Sequence, residues 1–190
     1  MVVFCGINPA VTAIRSGRHF SSATNRFWYV LHGAGFTPWQ IRPEEGRSLL
    51  VHRCGLTVAA ARATQKAADL TREELREGRA ALEQKVRYCA PQVIAFLGKA
   101  AYAAMTDDRR LAWGRQRDPF AGAVAWILPN PSGRNRMCRT EDLVRAYREL
   151  RDYVEPSDAA VERMDNQTAG VSVPTDLGAW TCSGYQHTTP

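Results

Sequence analysis

Short apolar runs alternate with longer stretches in which apolar residues recur at helical spacing. Four of the runs are predicted to be buried strands: residues 2–5, 55–58, 92–97 and 124–128. The segments between them contain the helical patterns. Strands that alternate with helices indicate βα units around a mostly parallel sheet, so the pattern predicts an α/β fold.

Helices are predicted where apolar spacing and capping residues agree. The clearest covers residues 71–88, where Thr71 and Glu74 have the spacing of a capping box and Leu75, Leu82 and Val86 form an apolar stripe. Further helices are predicted at residues 25–33, with Asn25 as cap, at 43–52, at 99–105, and at 140–154, with Thr140 as cap. We expect residues 11–22 to be irregular and residues 106–122 to form a charged connection.

The charge pattern divides the chain after Val154. Residues 1–154 carry 24 Lys and Arg against 14 Asp and Glu, whereas residues 155–190 carry one Arg against five acids. The second part is also rich in Ser, Thr, Gly and Pro and has no sustained periodicity. We therefore predict one domain at residues 1–154, followed by an acidic, disordered tail at residues 155–190.

The composition also restricts the class of protein. No apolar run approaches the length of a membrane span, and no basic region precedes an apolar stretch, so we expect a cytoplasmic protein with no membrane partner. The five cysteines are widely spaced without a Cys-x-x-Cys pair, which favours structural thiols over a metal site. A basic domain suits a polyanionic partner, although solvated arginines are the alternative.

Two of the predicted strands end in loops that carry an Asn before a Pro. The first strand is followed by Gly6-Ile7-Asn8-Pro9, and the last by Asn130-Pro131-Ser132-Gly133. In open α/β sheets, ligands bind at the carboxyl ends of the strands. We therefore expect both loops to converge on one pocket.

These loops, with Gly17, Phe20 and the segment Asn25-Arg26-Phe27-Trp28 between them, resemble the mismatch-specific uracil/thymine DNA glycosylase family, a branch of the uracil-DNA glycosylase superfamily. The similarity extends from about residue 2 to residue 154. It implies a three-layer α/β/α domain with a central, mostly parallel sheet of about four strands.

The resemblance also implies a function. A protein of this family would flip uracil, and also thymine or other modified bases, out of a mispair with guanine and hydrolyse the N-glycosidic bond, leaving an abasic site for base excision repair. The implied partner is double-stranded DNA with a G·U or G·T mismatch. We expect no cofactor and no metal, and a monomer that acts at the nucleoid of a bacterial cell.

The resemblance makes Asn8 and Asn130 the expected catalytic residues. Asn8 would orient the attacking water, because its amide oxygen can accept from water although it cannot titrate as a general base. The alternative is that Asn8 only caps its own turn. Asn130 would donate to the leaving base or position the sugar, the alternative being an ordinary tight loop.

Four residues are expected to bind the flipped base. Phe20 would stack on it, although a core position is the commoner role of a lone aromatic. His19 would border the pocket, with a surface position as the alternative, and Ile7 belongs to the first loop. Ala13 matches the thymine-processing members, in which a small side chain leaves room for a 5-methyl group.

The second loop is expected to bind DNA. Ser132 would contact phosphate, and Gly133 would allow the DNA backbone to approach closely. Arg134 would fill the gap left by the flipped base, unless it is an ordinary exposed arginine, and Arg136 would bind phosphate. The carbonyls of Gly133 and Asn135 would accept from the unpaired guanine.

Two rival functions remain open. One is a mismatch-binding protein with little or no catalysis. The other is a nucleotide-binding enzyme, which the lack of a Gly-x-Gly-x-x-Gly signature and of a Walker lysine disfavours. Ala10 replaces the Gly that usually follows Asn-Pro in the family. No Lys is placed to form a Schiff base, so we expect no lyase step.

Overall fold

A five-stranded sheet forms the centre of the computed structural model, which describes residues 1–108 and 110–155. Its strands in chain order are β1 Val2–Gly6, β2 Cys54–Val58, β3 Val93–Leu97, β4 Gly114–Arg115 and β5 Val124–Leu128. Their order across the sheet is β2-β1-β3-β5-β4. The first four strands of this order run parallel, and β4 pairs antiparallel with β5 at the edge. The predicted α/β fold with four parallel strands is confirmed.

The strand register places β1 and β5 on either side of β3. Val93 of β3 lies opposite Val2 of β1 on one side and opposite Val124 of β5 on the other. Every residue of β3 is buried, as expected for a central strand that is covered on both faces. The two-residue strand β4 was not predicted, because it lies in a charged segment without alternating apolar residues.

The described helices are α1 Val11–Ser16, α2 Phe27–Gly33, α3 Arg72–Cys89, α4 Lys99–Thr106 and α5 Thr140–Val154. Two 3-10 helices cover Pro43–His52 and Ala67–Asp69. The predictions for α2 to α5 are confirmed to within two residues. The segment from 43 to 52 is helical as predicted, but in the tighter 3-10 form.

Helix α1 contradicts the prediction of an irregular segment. None of its residues is buried. A helix without a buried face has no need of an apolar stripe, so the sequence contains no periodic signal for it. The Ala10 carbonyl accepts from the backbone N–H groups of Ala13 and Ile14, which begins the helix directly after Pro9. Gly17 ends it with a φ of 66°, in the left-handed region that glycine adopts easily.

The capping box of α3 is confirmed in both directions. The Glu74 N–H donates to Thr71 Oγ1 over 3.1 Å, and the Thr71 N–H donates to the Glu74 carboxylate over 2.8 Å. The predicted stripe of Leu75, Leu82 and Val86 is buried. Helix α3 therefore has the start and the buried face that its sequence predicts.

The other two predicted caps are displaced by one residue. Arg26, rather than Asn25, is the N-cap of α2, although Asn25 Oδ1 still accepts from the Phe27 N–H over 3.0 Å. Arg139, rather than Thr140, is the N-cap of α5, because the Asp142 carboxylate accepts from the Arg139 N–H over 3.2 Å.

The core has two parts, one on each face of the sheet. Helices α2 and α5 cover one face, where Phe4 packs edge-on against Phe27 and stacks on Tyr147. Helices α3 and α4 cover the other face, around Phe96 of β3. Two of the predicted structural thiols, Cys5 and Cys54, are buried in this core, where burial raises the pKa of Cys54 to about 12.

The described residues up to Glu155 form one compact unit. The predicted tail at residues 155–190 lies outside the described residues, except for Glu155 itself. Within the part of the chain that the structure describes, no helix has both the length and the apolar character needed to cross a bilayer.

Gly78 lets α3 pack directly against the chain that follows β2. A Cβ at this position would lie 2.2 Å from the Ala59 carbonyl oxygen. At a solvent-exposed position inside a helix, Gly→Ala stabilises the folded protein by about 1 kcal/mol. Here we expect Gly78→Ala to destabilise by about 1–3 kcal/mol, because the methyl group overlaps backbone. Thermal unfolding followed by circular dichroism would measure the effect.

Gly55→Ala is the matched control, because its Cβ would make an ordinary contact of 3.5 Å with Val3. For a chain of this size, each kcal/mol corresponds to about 2–4 °C in Tm. A Tm of Gly78→Ala that equals or exceeds that of the wild type would contradict the close packing of α3.

Candidate functional site

The side chain of Asn8 is held by the segment that follows β2. Asn8 Nδ2 donates to the Arg62 carbonyl over 2.8 Å and to Thr64 Oγ1 over 2.7 Å. The backbone adds a further link, since the Thr64 N–H donates to the Pro9 carbonyl over 3.2 Å. Asn8 is therefore fixed on the N–H side of its amide, at the carboxyl end of β1.

The chemistry of these partners decides which way the amide faces. The Arg62 carbonyl can only accept, and the Thr64 hydroxyl uses its own proton on the Lys66 carbonyl at 2.7 Å. Both partners thus require a donor, so Nδ2 must face them and Oδ1 must face away. Among the described residues, none donates a hydrogen bond to Asn8 Oδ1, which leaves it able to accept from water.

Arg62 is anchored from a second direction. Its guanidinium forms a two-point ion pair with the Glu74 carboxylate in the first turn of α3, and it also donates to the Asp69 carbonyl. The pKa of Glu74 is lowered to about 2, chiefly by the hydrogen bond from Arg62 and also by the Thr71 N–H. Helix α3 thereby holds the segment that orients Asn8.

Asn130 is bonded to the end of β3 and within its own loop. Its Nδ2 donates to the Leu97 carbonyl over 3.2 Å, and its Oδ1 accepts from the Ser132 N–H over 2.9 Å. The Asn130 carbonyl accepts from Asn135 Nδ2 at 2.9 Å. Within the described part of the chain, the second amide N–H of Asn130 has no acceptor. Its contact with a leaving base stays a prediction and would use this hydrogen.

The remainder of the second loop surrounds Arg26. The Arg26 guanidinium donates to three of the loop's carbonyls, those of Ser132, Asn135 and Cys138. The Asn135 carbonyl is therefore directed at Arg26 rather than outward. Of the two carbonyls expected to contact guanine, that of Gly133 is the one to which no described residue donates.

Gly133 packs closely against the chain ahead of α2. A Cβ at residue 133 would lie 2.5 Å from both the Thr24 carbonyl oxygen and Thr24 Cβ. This intramolecular approach is a reason for glycine that the sequence did not reveal, and the approach of DNA stays a prediction. Ser132 Oγ accepts from the Arg134 N–H over 3.3 Å, so the loop is a turn with a side-chain partner.

Arg134 links the two halves of the site. Its Nη1 donates to the Gln65 carbonyl over 3.0 Å, next to Thr64, which holds Asn8. Arg136 is exposed, with its backbone N–H donating to the Arg134 carbonyl over 3.1 Å. The second loop thus reaches the segment that supports the first loop. That both loops line one pocket stays a prediction.

Phe20 lies at the edge of the core beside the first loop. Its ring stacks on Phe27 at a centroid distance of 4.0 Å, and its tip lies 3.8 Å from where a Cβ on Gly6 would be. Its φ of 52° is a strained value for a bulky residue, and such strain is concentrated at functional sites. Phe20 is half-buried, so both expected roles, core packing and base stacking, fit its position.

The other expected pocket residues surround this aromatic pair. His19 is half-buried beside Phe20, and its carbonyl accepts from Trp28 Nε1 over 3.2 Å. Ala13 is half-buried on α1, one turn beyond the first loop. Ile7 packs its side chain toward the core between the sheet and α3. Contacts of these residues with a base stay predictions.

Sequence reasoning missed the supporting residues Arg26, Arg62, Thr64 and Gln65. Thr64 is one of two polar residues buried in the described core. Arg26 belongs to the Asn-Arg-Phe-Trp segment of the family resemblance, and this membership was the signal that could have identified it. For Arg62 and Gln65, only a backbone carbonyl contacts the site residue, so their side-chain types carry no signal of that contact.

One cavity lies away from these loops. Its volume is about 250 Å³, and it lies beside α3 and α4 with Arg79, Tyr102 and Asp118 in its lining. None of the predicted site residues lines it. The two loops, rather than the cavity volume, therefore locate the candidate site.

A comparison with known families gives one match that covers most of the chain. The family model described as the uracil DNA glycosylase superfamily matches residues 1–151. The matched range contains the whole sheet, both Asn-Pro loops and the segment that holds Asn8. The match is to the superfamily as a whole and does not distinguish the mismatch-specific branch.

Burial lowers the pKa of His19 below its ordinary value of 6.5. The folded protein therefore binds this proton less readily than the unfolded chain. We expect this group to contribute stability above about pH 6.5 that is lost as the pH falls below that value. An NMR titration of the imidazole, with the signal identified by its loss in His19→Gln, should give a midpoint below 6.5.

The unfolding free energy in urea provides the second measurement. His19→Gln should remove part of the loss of stability between pH 7 and pH 5. A midpoint at or above the ordinary value, or an unchanged pH dependence in the variant, would contradict the burial of the imidazole.

Proposed function

The chain belongs to the uracil DNA glycosylase superfamily, and on that basis we propose that it excises uracil mispaired with guanine from double-stranded DNA. Members of this superfamily are DNA glycosylases, which hydrolyse the N-glycosyl bond between base and sugar. The finer proposal is a monofunctional, mismatch-specific enzyme of base excision repair that leaves an abasic site. Thymine and other modified bases opposite guanine are further substrates.

The orientation of Asn8 is the observation that carries this proposal. Its two amide protons are used within the protein, and its oxygen is left to accept. A water bound to this oxygen would be held on the attacked side of the sugar without any need for a titrating base. The sugar develops positive charge and the base leaves as an anion, so an oriented water is the nucleophile that the reaction requires.

The residues around Phe20 would bind the flipped base. A flipped uracil would stack on Phe20, whose ring is held by Phe27. A neutral His19 beside it suits an uncharged base, because burial lowers the pKa of this imidazole. Ala13 offers space next to C5 of the base, which would admit a methyl group and hence thymine.

The second loop would bind the DNA around the flipped base. Arg134 would leave Gln65 and enter the stack where the base was, since a planar guanidinium stacks on bases and also binds phosphate. Arg136 and Ser132 would contact the backbone on either side. The Gly133 carbonyl would accept from the guanine left without a partner. These contacts explain a preference for mispairs with guanine.

A mismatch-binding protein without catalysis is the alternative. It would use the same second loop but would not need an oriented Asn8. The double hold on the Asn8 amide, from Arg62 and Thr64, therefore favours an enzyme.

The purified protein should release uracil from a G·U duplex, and the abasic strand should break only after added alkali. Asn8→Ala should slow the chemical step at least about a hundredfold while duplex binding persists, because the water is positioned in the transition state. Single-turnover excision with enzyme in excess measures the rate, and fluorescence anisotropy measures the binding.

Thr64→Ser and Thr64→Val form a matched pair for this test. Serine keeps the hydroxyl that accepts from Asn8, whereas valine removes it and leaves the Arg62 carbonyl to hold the amide alone. We expect near-wild-type excision for Thr64→Ser and a clear loss for Thr64→Val. If Asn8→Ala retains more than about a tenth of the wild-type rate, Asn8 does not position the nucleophile.

Arg134→Ala should slow excision from a G·U duplex about tenfold, equivalent to about 1.4 kcal/mol. On a single strand carrying uracil, the same variant should stay close to wild type, because no gap in the stack has to be filled. Single-turnover rates on the two substrates make the comparison.

Arg136→Ala serves as the control on the same loop. Arg136 is proposed to bind phosphate, so its loss should weaken binding to both the duplex and the single strand. It should also reduce the slope of log K against log salt concentration by about one. If Arg134→Ala slows excision equally on duplex and single strand, Arg134 does not fill the gap left by the flipped base.

A further inference from the structure

One arginine of the Asn-Arg-Phe-Trp segment has contacts along most of the second loop. Arg26 Nη1 donates to the Cys138 carbonyl over 2.9 Å. Its Nη2 donates to the carbonyls of Ser132 at 3.3 Å and Asn135 at 3.0 Å. The Arg26 backbone N–H adds a bond of 3.0 Å to the Pro131 carbonyl. Four carbonyls spread over eight residues thus converge on one residue.

The geometry of these contacts requires a guanidinium. Its planar fork directs several N–H groups outward in fixed directions, so one side chain can bind three carbonyls at once. The ammonium of a lysine would supply the same charge from one compact point. Among the described residues, Arg26 forms no ion pair with an acid, so the carbonyl dipoles are the groups that stabilise its charge.

Arg26 is itself fixed in place. It precedes Phe27, whose ring is buried in the core between Phe4 and Phe20. Tyr147 lies nearby, where burial raises the pKa of its hydroxyl and the Arg26 charge acts in the opposite direction. The Tyr147 hydroxyl donates to the Pro129 carbonyl over 3.2 Å, which holds the start of the same loop.

The inward carbonyls determine what the loop presents outward. With its acceptors turned toward Arg26, the loop exposes the side chains of Arg134 and Arg136. A cation beneath the loop and two on its surface make the whole segment electropositive, as a phosphate-binding surface must be. None of the Arg26 contacts reaches Asn8 or the segment that holds it.

We propose that Arg26 is a positioning residue that fixes the shape of the loop at 131–138 for DNA, and that it acts on duplex engagement rather than on bond cleavage. This inference rests on the proposed function for its activity readout. The effect of Arg26 on the loop and on DNA affinity can be measured separately. It gives the arginine of this motif a role that differs from those of Asn8 and Arg134.

The test compares Arg26→Lys and Arg26→Gln with the wild type. In single-turnover excision from a G·U duplex, the protein concentration for half-maximal rate should rise about tenfold to a hundredfold in both variants. The maximal rate should fall by much less than the half-maximal concentration rises, because Asn8 keeps its partners while Asn130 and Arg134 lie on the loosened loop. Failure of lysine to restore the affinity would show that fork geometry, rather than charge alone, is needed.

Arg148→Lys is the matched control. Arg148 Nη2 also donates to a backbone carbonyl, that of Gly33 at the other end of α2, over 2.8 Å. This change removes a comparable hydrogen bond far from the second loop, so it should alter stability but not the half-maximal concentration.

Hydrogen exchange measured by mass spectrometry provides the readout that does not depend on activity. Peptides covering residues 131–138 should exchange faster in Arg26→Lys, while those from β1 and from residues 60–66 should not change. Binding to a G·U duplex by anisotropy should weaken in parallel, even if the wild type releases no uracil and the proposed function fails.

Four results would overturn the inference. If Arg26→Lys binds DNA with wild-type affinity, the positive charge of Arg26 is sufficient and the geometry of its guanidinium is not needed. A maximal rate that falls as much as the affinity would show a general structural role, as would faster exchange throughout the domain. An equal loss of affinity in Arg148→Lys would show that any arginine–carbonyl bond at α2 has the same effect.

Discussion

Parallel pairing of β1, β3 and β5 is the constraint on which the site depends. Because the three strands run in one direction, the loops that follow β1 and β5 leave the sheet at the same edge. With β3 between them, the two strand ends are about 10 Å apart, twice the usual spacing of neighbouring strands. An antiparallel β5 would have sent its loop to the opposite edge, and the two asparagines could not have served one ligand.

Amide side chains at this edge are held by partners of known hydrogen-bonding type. Asn8 faces two acceptors, Asn130 both donates and accepts, and Asn135 donates to the Asn130 carbonyl. The nitrogen and oxygen ends of each amide are therefore distinguished by the protein before any ligand arrives. Pre-organisation of this kind lowers the entropy that has to be lost when the reacting groups are brought together.

Local pattern predicted the four parallel strands, the helices α2 to α5 and the capping box of α3, because burial and capping leave a signal within a few residues. The two Asn-Pro loops of the candidate site were also readable from the sequence, since strand ends and Asn-Pro turns are local features. The supporting contacts were not. Asn8 meets Arg62 and Thr64 across 54 and 56 positions of the chain, and the Arg26 guanidinium meets its three carbonyls across 106 to 112. Such contacts depend on the tertiary fold.

The bond from Arg134 to the Gln65 carbonyl has a consequence for how the protein and a duplex fit together. One guanidinium cannot lie along the protein surface and between two base pairs at the same time. A duplex placed rigidly against the free protein would therefore find this side chain folded back. Since the backbone around it is already set, the change is a rotation about side-chain torsions, which exposed residues complete in picoseconds to nanoseconds. Exchange of a single exposed hydrogen bond costs only about 1 kcal/mol. The insertion proposed for Arg134 would then require a side-chain rotation and no rearrangement of the backbone.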